Sequence, residues 1–285
     1  MQIGFLGAGE MGAGLAWAFG RAGHVCRAVA TGRSVETQQR MVEAGMEPVE
    51  DLVALVAASD VIFSVLPPER AEPEAAELAR VATAPLVFVE ANAISPMRSR
   101  RIAALFGGGP VQVIDGGIIG LPPSEEAQPR LYVSGNSVVL DPLDGAGVVL
   151  RDLGPEIGRA SAMKMVYAAM TKGTNALLTA VLLAGEQLDL TGALRAEMEE
   201  SQPAMVERTD RVIPALPSDA GRWVFEMREI ADTFRSEGVP GGFHEAAAEI
   251  MALLDGSEFG NETRRSRDRG RTAAQTIAAV ARRLG

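Results

Sequence analysis

The chain contains only two lysines, Lys164 and Lys172, and arginine supplies its other strongly basic side chains. A guanidinium stays protonated near neutral pH, whereas a desolvated lysine can lose its proton and act as a general acid or base. Both lysines are therefore candidates for proton transfer. Composition alone leaves open the alternative that both are ordinary solvent-exposed residues of a helix.

Both lysines fall within a stretch that predicts one long helix. Residues 160–184 are rich in Ala, Met and Leu and contain no proline, a composition that favours a helix. At about 100° per residue, the polar residues of this helix share one face: Lys164, Tyr167, Thr171 and Asn175. Such a stripe on an otherwise apolar helix must face water, a partner or a functional site.

The elements on either side of this helix predict two domains. The pattern before it alternates strands and helices, which indicates an α/β Rossmann domain over residues 1–158. The pattern after it contains helices only, so residues 159–285 are expected to form an all-α domain for substrate binding and dimerisation. The helix would join the two. A chain of 285 residues, 47% of them apolar, is long enough for two cores.

Charge and composition exclude several classes of protein. The net charge of −10 argues against a nucleic-acid-binding protein, which needs a basic face. No apolar run is long enough to span a membrane, and the single Cys26, expected to be a small buried residue, suits a reducing cytoplasm. Two distant histidines and one cysteine predict no metal site. We therefore expect a cytoplasmic protein that acts on a small molecule.

A glycine-rich turn near the N-terminus predicts a dinucleotide site. It follows the apolar strand 2–6, opens a helix, and has the spacing G-x-G-x-x-G: Gly7, Ala8, Gly9, Glu10, Met11 and Gly12. Glycines at these positions permit the tight turn, the approach of a pyrophosphate and close helix packing. The helix N-terminus then faces the phosphates.

The end of the second strand predicts which dinucleotide binds. An NAD site has an acidic residue there for the ribose hydroxyls, but this segment offers Thr31, Gly32, Arg33 and Ser34. A guanidinium beside a hydroxyl suits the 2′-phosphate of NADP. The alternative is that Arg33 is exposed to solvent and Ser34 only caps the next helix. Capping by Ser34 is compatible with either role of Arg33.

Other candidate ligand residues follow the carboxyl ends of strands, where open α/β sheets bind ligands. Strand 61–65 ends at Leu66 and Pro67, on the expected nicotinamide side, and Asn92 follows strand 86–90. Strand 111–115 leads into a second Gly/Pro segment, 116–123, which contains Gly117 and Ile118. We expect this segment to be a loop.

Together these motifs resemble the β-hydroxyacid dehydrogenase superfamily, which includes 3-hydroxyisobutyrate dehydrogenase and 6-phosphogluconate dehydrogenase. The likeness covers essentially the whole chain, with GFLGAGEMG, SVLPP, EANAISP, DGGIIG and IGRASAMKMVYAAMTKG at the positions of the superfamily motifs. The resemblance implies an interleaved homodimer in which Lys164 exchanges a proton with the substrate oxygen during hydride transfer. It also implies that Asn92 and Gly117 lie near the substrate.

The departures from the superfamily pattern concern the substrate. Ala168 stands where the superfamily has asparagine, with Tyr167 before it, which argues against 6-phosphogluconate. Ile119, Gly120 and Leu121 replace a Ser-Gly-Gly that holds a carboxylate, so the substrate stays open. The later segments RWVFEMREIADTF and GVPGGFHEAAAEI resemble a branch with a 6-phosphogluconate-dehydrogenase-like C-terminal domain.

The second half of the chain adds two weaker candidates. Proline and glycine punctuation predicts helices near 194–209, 219–237, 243–254 and 272–284. His244, in a first helical turn, and Lys172 are each either structural or substrate contacts. Residues 264–271 are expected to be a solvated arginine-rich connector.

We therefore expect an NADP-dependent oxidoreductase that moves a hydride between nicotinamide and a carbonyl or hydroxyl carbon. Lys164 would be the general acid/base, supported by Tyr167. Two alternatives stay open: an imine reductase, and a non-catalytic NADP-sensing protein.

Overall fold

The computed structural model describes residues 1–264 and 266–284. The chain divides into two compact units, Met1–Met165 and Val166–Gly285. The sequence prediction places the domain boundary at Gly158, just before the long helix α6 (Arg159–Gln187). The division between the units falls inside that helix, so Lys164 belongs to the first unit and Tyr167 to the second.

The first unit alternates strands and helices, as the sequence pattern predicts. Its strands are β1 (Gln2–Phe5), β2 (Val25–Val29), β3 (Glu47–Val49), β4 (Val61–Ser64), β5 (Leu86–Glu90), β6 (Val111–Ile119), β7 (Arg130–Ser134) and β8 (Val149–Asp152). Its helices before α6 are α1 (Glu10–Arg21), α2 (Val35–Glu43), α3 (Leu52–Ala57), α4 (Pro68–Val81) and α5 (Pro96–Ala104).

The strands form a single sheet in the order β3-β2-β1-β4-β5-β6-β7-β8. Neighbouring strands are parallel except for β6 and β7, which are antiparallel. This parallel-rich sheet with helical crossovers confirms the predicted Rossmann domain. The strand order reverses between β1 and β4, so the segments that follow these strands face a crevice at the carboxyl edge of the sheet.

Apolar side chains cover both faces of the sheet. On one face Leu15 and Phe19 of α1 pack in a cluster with Phe5 and Phe63. On the other, Leu78 of α4 lies in a second cluster with Ile62, Phe88 and Ile102. Burial on both faces is characteristic of parallel strands flanked by helices. Cys26 is buried in the first cluster, as expected, and burial raises the pKa of its thiol to about 11.

Two features of the sheet differ from the sequence prediction. The short strand β3 was not predicted; Pro48 at its centre is tolerated because β3 lies at the edge of the sheet. Strand β6 does not end at Asp115. It continues through Gly116 and Gly117 to Ile119, because β7 pairs with this segment in antiparallel register. The prediction of a loop beginning at residue 116 was therefore wrong over residues 116–119.

The described part of the second unit is helical, which confirms the predicted all-α second half. Beyond α6 it contains α7 (Thr191–Ser201), α8 (Pro203–Val212), α9 (Pro217–Ser236), α10 (Gly242–Asp255) and α11 (Ala273–Ala281). The predicted single helix over 194–209 is two helices, because Pro203 starts a new helix after Gln202. No described helix is both long enough and apolar enough to cross a membrane.

Candidate functional site

The glycine turn between β1 and α1 is closely packed at two of its glycines and open at the third. A Cβ on Gly7 would lie 2.2 Å from the Val65 carbonyl oxygen, and one on Gly12 would lie 2.1 Å from the Gly7 carbonyl oxygen. Both positions therefore require glycine. A Cβ on Gly9 would meet nothing within 4 Å, so space is open at this point of the turn.

The N-terminus of α1 adds donors to that open space. Gly9 is the N-cap residue and supplies no side-chain cap, and a helix N-terminus without such a cap is a common binding site for phosphate groups. The predicted Ala8 is buried, whereas Glu10 is exposed and Met11 is partly buried in the first helical turn. These residues fit a dinucleotide whose phosphates lie against the turn.

Arg33 is held at the end of β2 next to this turn. Its Nη2 donates a 3.1 Å hydrogen bond to the main-chain carbonyl of Leu6, the residue before Gly7. A guanidinium has further N–H donors, which suit a phosphate. Ser34 caps α2 by accepting a 3.2 Å hydrogen bond from the Thr37 N–H, as predicted, and Thr31 and Gly32 form the exposed turn before it.

A buried polar network links the ends of β4 and β5. The Asn92 side-chain carbonyl accepts a hydrogen bond from the Leu66 N–H, and its Nδ2 donates to the Ser64 hydroxyl at 2.7 Å. The Asn92 N–H donates to Oε1 of Glu90 at 3.0 Å. Asn92 therefore fixes the segment of Leu66 and Pro67 that was predicted to lie on the nicotinamide side.

Asp115 anchors the start of α6. Its buried carboxylate accepts hydrogen bonds from the main-chain N–H groups of Gly158, Ala160 and Ser161 at 2.9–3.0 Å. The hydroxyls of Ser99 and Ser134 donate to it at 2.8 and 2.9 Å. A carboxylate at a helix N-terminus satisfies the free N–H groups and interacts favourably with the helix dipole. The first turn of α6 is thereby fixed to β6.

Lys164 follows this anchor by about one turn. Its Nζ donates a hydrogen bond to the main-chain carbonyl of Ile118, a residue of β6 that is buried. A Cβ on Gly117 would lie 2.5 Å from the Ala160 carbonyl oxygen and 3.2 Å from the Lys164 Cβ. The glycine thus allows α6 to lie directly against the strand, which places the lysine over β6.

The strand register brings Lys164 and Asn92 to the same edge of the sheet. Glu90 on β5 pairs with Asp115 on the parallel strand β6. Asn92 and Gly117 each lie two residues beyond this pair, and neighbouring strands are about 4.8 Å apart. The first unit therefore gathers the glycine turn, Arg33, Asn92 and Lys164 at its carboxyl edge, as the sequence predicts for a ligand site.

The remaining predicted residues lie in the second unit. The partly buried Lys172 forms an ion pair with the buried Glu226, and its Nζ lies 4.9 Å from the centre of the Trp223 ring. These contacts give Lys172 a structural role. Its contact with a substrate stays a prediction. Asn175, the last residue of the polar stripe, is contacted by Arg208, whose Nη2 donates a 2.7 Å hydrogen bond to its side-chain carbonyl.

His244 is buried in the first turn of α10. The rings of Phe234 and Phe243 lie edge-on to it, with centroid distances of 4.5 and 5.2 Å. Its Nδ1 has no hydrogen-bond partner among the described residues. Burial lowers the pKa of His244, so the imidazole is neutral near pH 7. Its contact with a substrate stays a prediction, as does the role of Tyr167.

Two residues of the site, Glu90 and Asp115, were missed at the sequence level. Acidic residues at strand ends are common, and the partners of Asp115 are separated from it by 16 to 46 residues in the chain. One available signal was an acid within an apolar strand, as in the run LVFVE that ends at Glu90.

Comparison with known families agrees with this geometry. Residues 2–146, just over half of the chain, match the family described as the NAD binding domain of 6-phosphogluconate dehydrogenase. Residues 186–254 match a domain of unknown function, DUF1932. The chain belongs to the β-hydroxyacid dehydrogenase superfamily. It therefore has the NAD(P)-binding, hydroxyacid-dehydrogenase-like fold of that superfamily.

Individual proteins and solved structures are similar to this superfamily member over most of their length. A conserved hypothetical protein from Sinorhizobium meliloti 1021 is 25% identical with a TM-score of 0.70, over 100% of this chain and 97% of that one. A 3-hydroxyisobutyrate dehydrogenase of Mycobacterium tuberculosis, solved with L-serine, has the same fold, with 18% identity, a TM-score of 0.69, and 99% and 98% of the two chains covered. An uncharacterised 28.5 kDa protein of Methanothermus fervidus is 28% identical over 203 residues, which are 71% of this chain and 78% of the relative.

Proposed function

We propose that the chain is an NADP-dependent oxidoreductase that transfers a hydride between nicotinamide and a carbonyl or hydroxyl carbon of a small molecule. The observation that carries this proposal is the position of Lys164. The lysine is held over β6 by the Ile118 carbonyl, at the sheet edge where the glycine turn and Asn92 also lie. Membership of the superfamily supports the reaction class.

Lys164 is proposed to be the general acid/base. Bound NADPH supplies the hydride that reduces the carbonyl carbon. As charge develops on the substrate oxygen, the Lys164 ammonium donates a proton from Nζ, and in the oxidation direction the neutral amine takes that proton back. The Ile118 carbonyl orients Nζ, and the Asp115 anchor keeps the helix from moving. Tyr167, three residues further along α6, is proposed to share or support the proton transfer.

The remaining predicted residues take cofactor and substrate roles in this proposal. The first N–H groups of α1 would bind the pyrophosphate, and Arg33 with Ser34 the 2′-phosphate of NADP. Leu66, Pro67 and Asn92 would line the nicotinamide. Gly117, Ile118 and Asn92 would lie against the substrate, and Lys172 and His244 are proposed contacts from the second unit. We further propose that the protein is a homodimer.

Turnover of variants at Lys164 tests the proposal. NADPH and NADH oxidation would be measured against a panel of small aldehydes, keto acids and cyclic imines. With an accepted substrate, we expect Lys164→Ala and Lys164→Arg to lower kcat by at least about 100-fold, the usual range for loss of a general acid/base. Arginine keeps the positive charge but does not release its proton. A loss of turnover in Lys164→Arg would therefore show that the reaction needs proton transfer and not only a positive charge.

Cofactor affinity is the control for these variants, because neither substitution touches the glycine turn. The dissociation constant of NADPH should stay within about threefold of wild type. Near-normal turnover in Lys164→Ala would contradict the proposed role. Amine formation from a carbonyl and an amine would instead establish the imine reductase, and tight NADPH binding without turnover on any substrate would favour the sensing protein.

A further inference from the structure

Glu90 is a buried carboxyl that the proposed reaction does not use. It ends β5, and none of its surface is exposed. The apolar cluster on one side of this strand includes Phe88, Ile94 and Ile102. An ionised carboxylate in such surroundings is costly unless several donors compensate its charge.

The hydrogen-bond donors near Glu90 come from Asn92 and Ser64, fewer residues than donate to the neighbouring Asp115. Oε1 accepts the Asn92 N–H at 3.0 Å, whereas Oε2 is buried and has no hydrogen-bond partner among the described residues. Asp115, its partner in the register of the neighbouring strand, accepts main-chain and hydroxyl donors from several residues. Two adjacent buried carboxyls thus have unequal environments, and the one with fewer donors is the one that holds a proton.

The groups around Glu90 act on its pKa in both directions, and burial is the largest effect. β4 presents the neutral Ser64 in the paired register, and β6 presents Asp115. Burial raises the pKa of the Glu90 carboxyl to about 8, hydrogen bonds with Asn92 and Ser64 oppose this shift, and the negative charge of Asp115 adds to it. Glu90 is therefore protonated at neutral pH and ionises under mildly alkaline conditions.

Ionised Glu90 would need water to stabilise its charge. Water would reach this fully buried side chain only if the segment after β5, which donates to it, moved away. That segment contains Asn92, which holds Leu66 at the candidate nicotinamide side. A bound cofactor would cover the same segment and would bring its own negative charges. We propose that the cofactor binds the protein with Glu90 protonated, so that binding at alkaline pH is coupled to the uptake of one proton by this residue. The inference rests on the dinucleotide-binding part of the proposed function.

The test is the pH dependence of NADPH affinity in wild type and Glu90→Gln, which keeps the shape of the neutral acid. The dissociation constant would be measured by fluorescence between about pH 7 and 9.5, above the titration of the ligand's phosphate. We expect the ratio of the wild-type dissociation constant to that of Glu90→Gln to rise by up to tenfold per pH unit above about pH 8. The reason is that wild type takes up one proton on binding and the variant does not. Glu77→Gln, on the exposed side of α4, should follow wild type.

Calorimetry supplies a second readout that needs no variant. Near pH 8.5, about half a unit above the expected pKa, the binding heat of wild type in buffers of different ionisation enthalpy should reveal proton uptake. Parallel pH curves for wild type and Glu90→Gln, or no proton uptake by wild type, would overturn the inference while leaving the dehydrogenase proposal intact. No NADPH binding at any pH would overturn both.

Discussion

At the scale of single residues, the two cations that the first unit contributes to the site are both positioned by main-chain carbonyls. Arg33 donates to Leu6 and Lys164 to Ile118, and each acceptor lies at or beside the end of a strand in the first unit. A carbonyl orients a guanidinium without cancelling its charge. In a protein with a net charge of −10, such local placement is how an anionic cofactor is bound against the overall field.

Removing Arg33 should therefore change cofactor preference. We expect Arg33→Ala to weaken NADPH binding by about 10- to 100-fold, the value of one to two charge-assisted hydrogen bonds. NADH lacks the 2′-phosphate, so its affinity should change by less than about threefold. Fluorescence titration of both cofactors measures the difference. Arg40→Ala is the matched control, because Arg40 pairs with Glu36 on the same α2 helix.

An equal loss of affinity for both cofactors in Arg33→Ala would carry a different meaning. It would show that the hydrogen bond from Arg33 to Leu6 supports the turn itself, and the assignment of Arg33 to the 2′-phosphate would then be abandoned.

At the scale of elements, the parts of the site that depend on local pattern were predictable and those that depend on pairing were not. The glycine turn, the Ser34 cap and the long helix follow from short-range rules that the sequence displays. The extension of β6 through Gly116 and Gly117 depends on β7, because two glycines have no strand preference of their own.

The anchoring of α6 likewise combines a part that the local sequence predicts with a part that depends on the folded sheet. That Lys164 lies on a helix follows from the composition of residues 160–184. Its distance from the strand depends on Asp115 and Gly117, which reach α6 only once the sheet has formed. Nothing in the sequence near Lys164 reveals either contact.

Close packing of α6 on β6 predicts the effect of a single added methyl group. In Gly117→Ala the new Cβ would lie 2.5 Å from the Ala160 carbonyl oxygen, so the first turns of α6 must shift. We expect kcat to fall by about 100-fold, as misplacement of a catalytic group by about 1 Å can cause. The free energy of unfolding should fall by about 1–3 kcal/mol from overpacking.

Two controls separate this displacement from general damage. NADPH affinity in Gly117→Ala should change by less than about threefold, since the glycine turn is untouched. Gly20→Ala on α1, where a Cβ meets nothing within 4 Å, should stabilise the protein slightly, by up to about 1 kcal/mol. Unchanged kcat in Gly117→Ala would mean that the position of Lys164 tolerates the shift, which contradicts a role in proton transfer.

At the scale of the whole molecule, the second unit presents an apolar stripe along α6. Four large apolar side chains of α6 are between 38% and 60% exposed: Val166, Met170, Leu177 and Val181. Their spacings of four and seven residues alternate, so at about 100° per residue they lie within an arc of roughly 60°. Exposed apolar side chains aligned in this way favour an interface with another surface.

The stripe supports the proposed homodimer and shows where to disrupt it. We expect light scattering coupled to gel filtration to give twice the 30.0 kDa chain mass for wild type. The double substitution Leu177→Glu and Val181→Glu should give a monomer, because two charges would be buried at the centre of the interface. Val42→Glu, at an apolar residue of α2 that is 78% exposed, should leave the dimer intact. A monomeric wild type at micromolar concentration, or a double variant that stays dimeric, would mean that this stripe binds something other than a second copy.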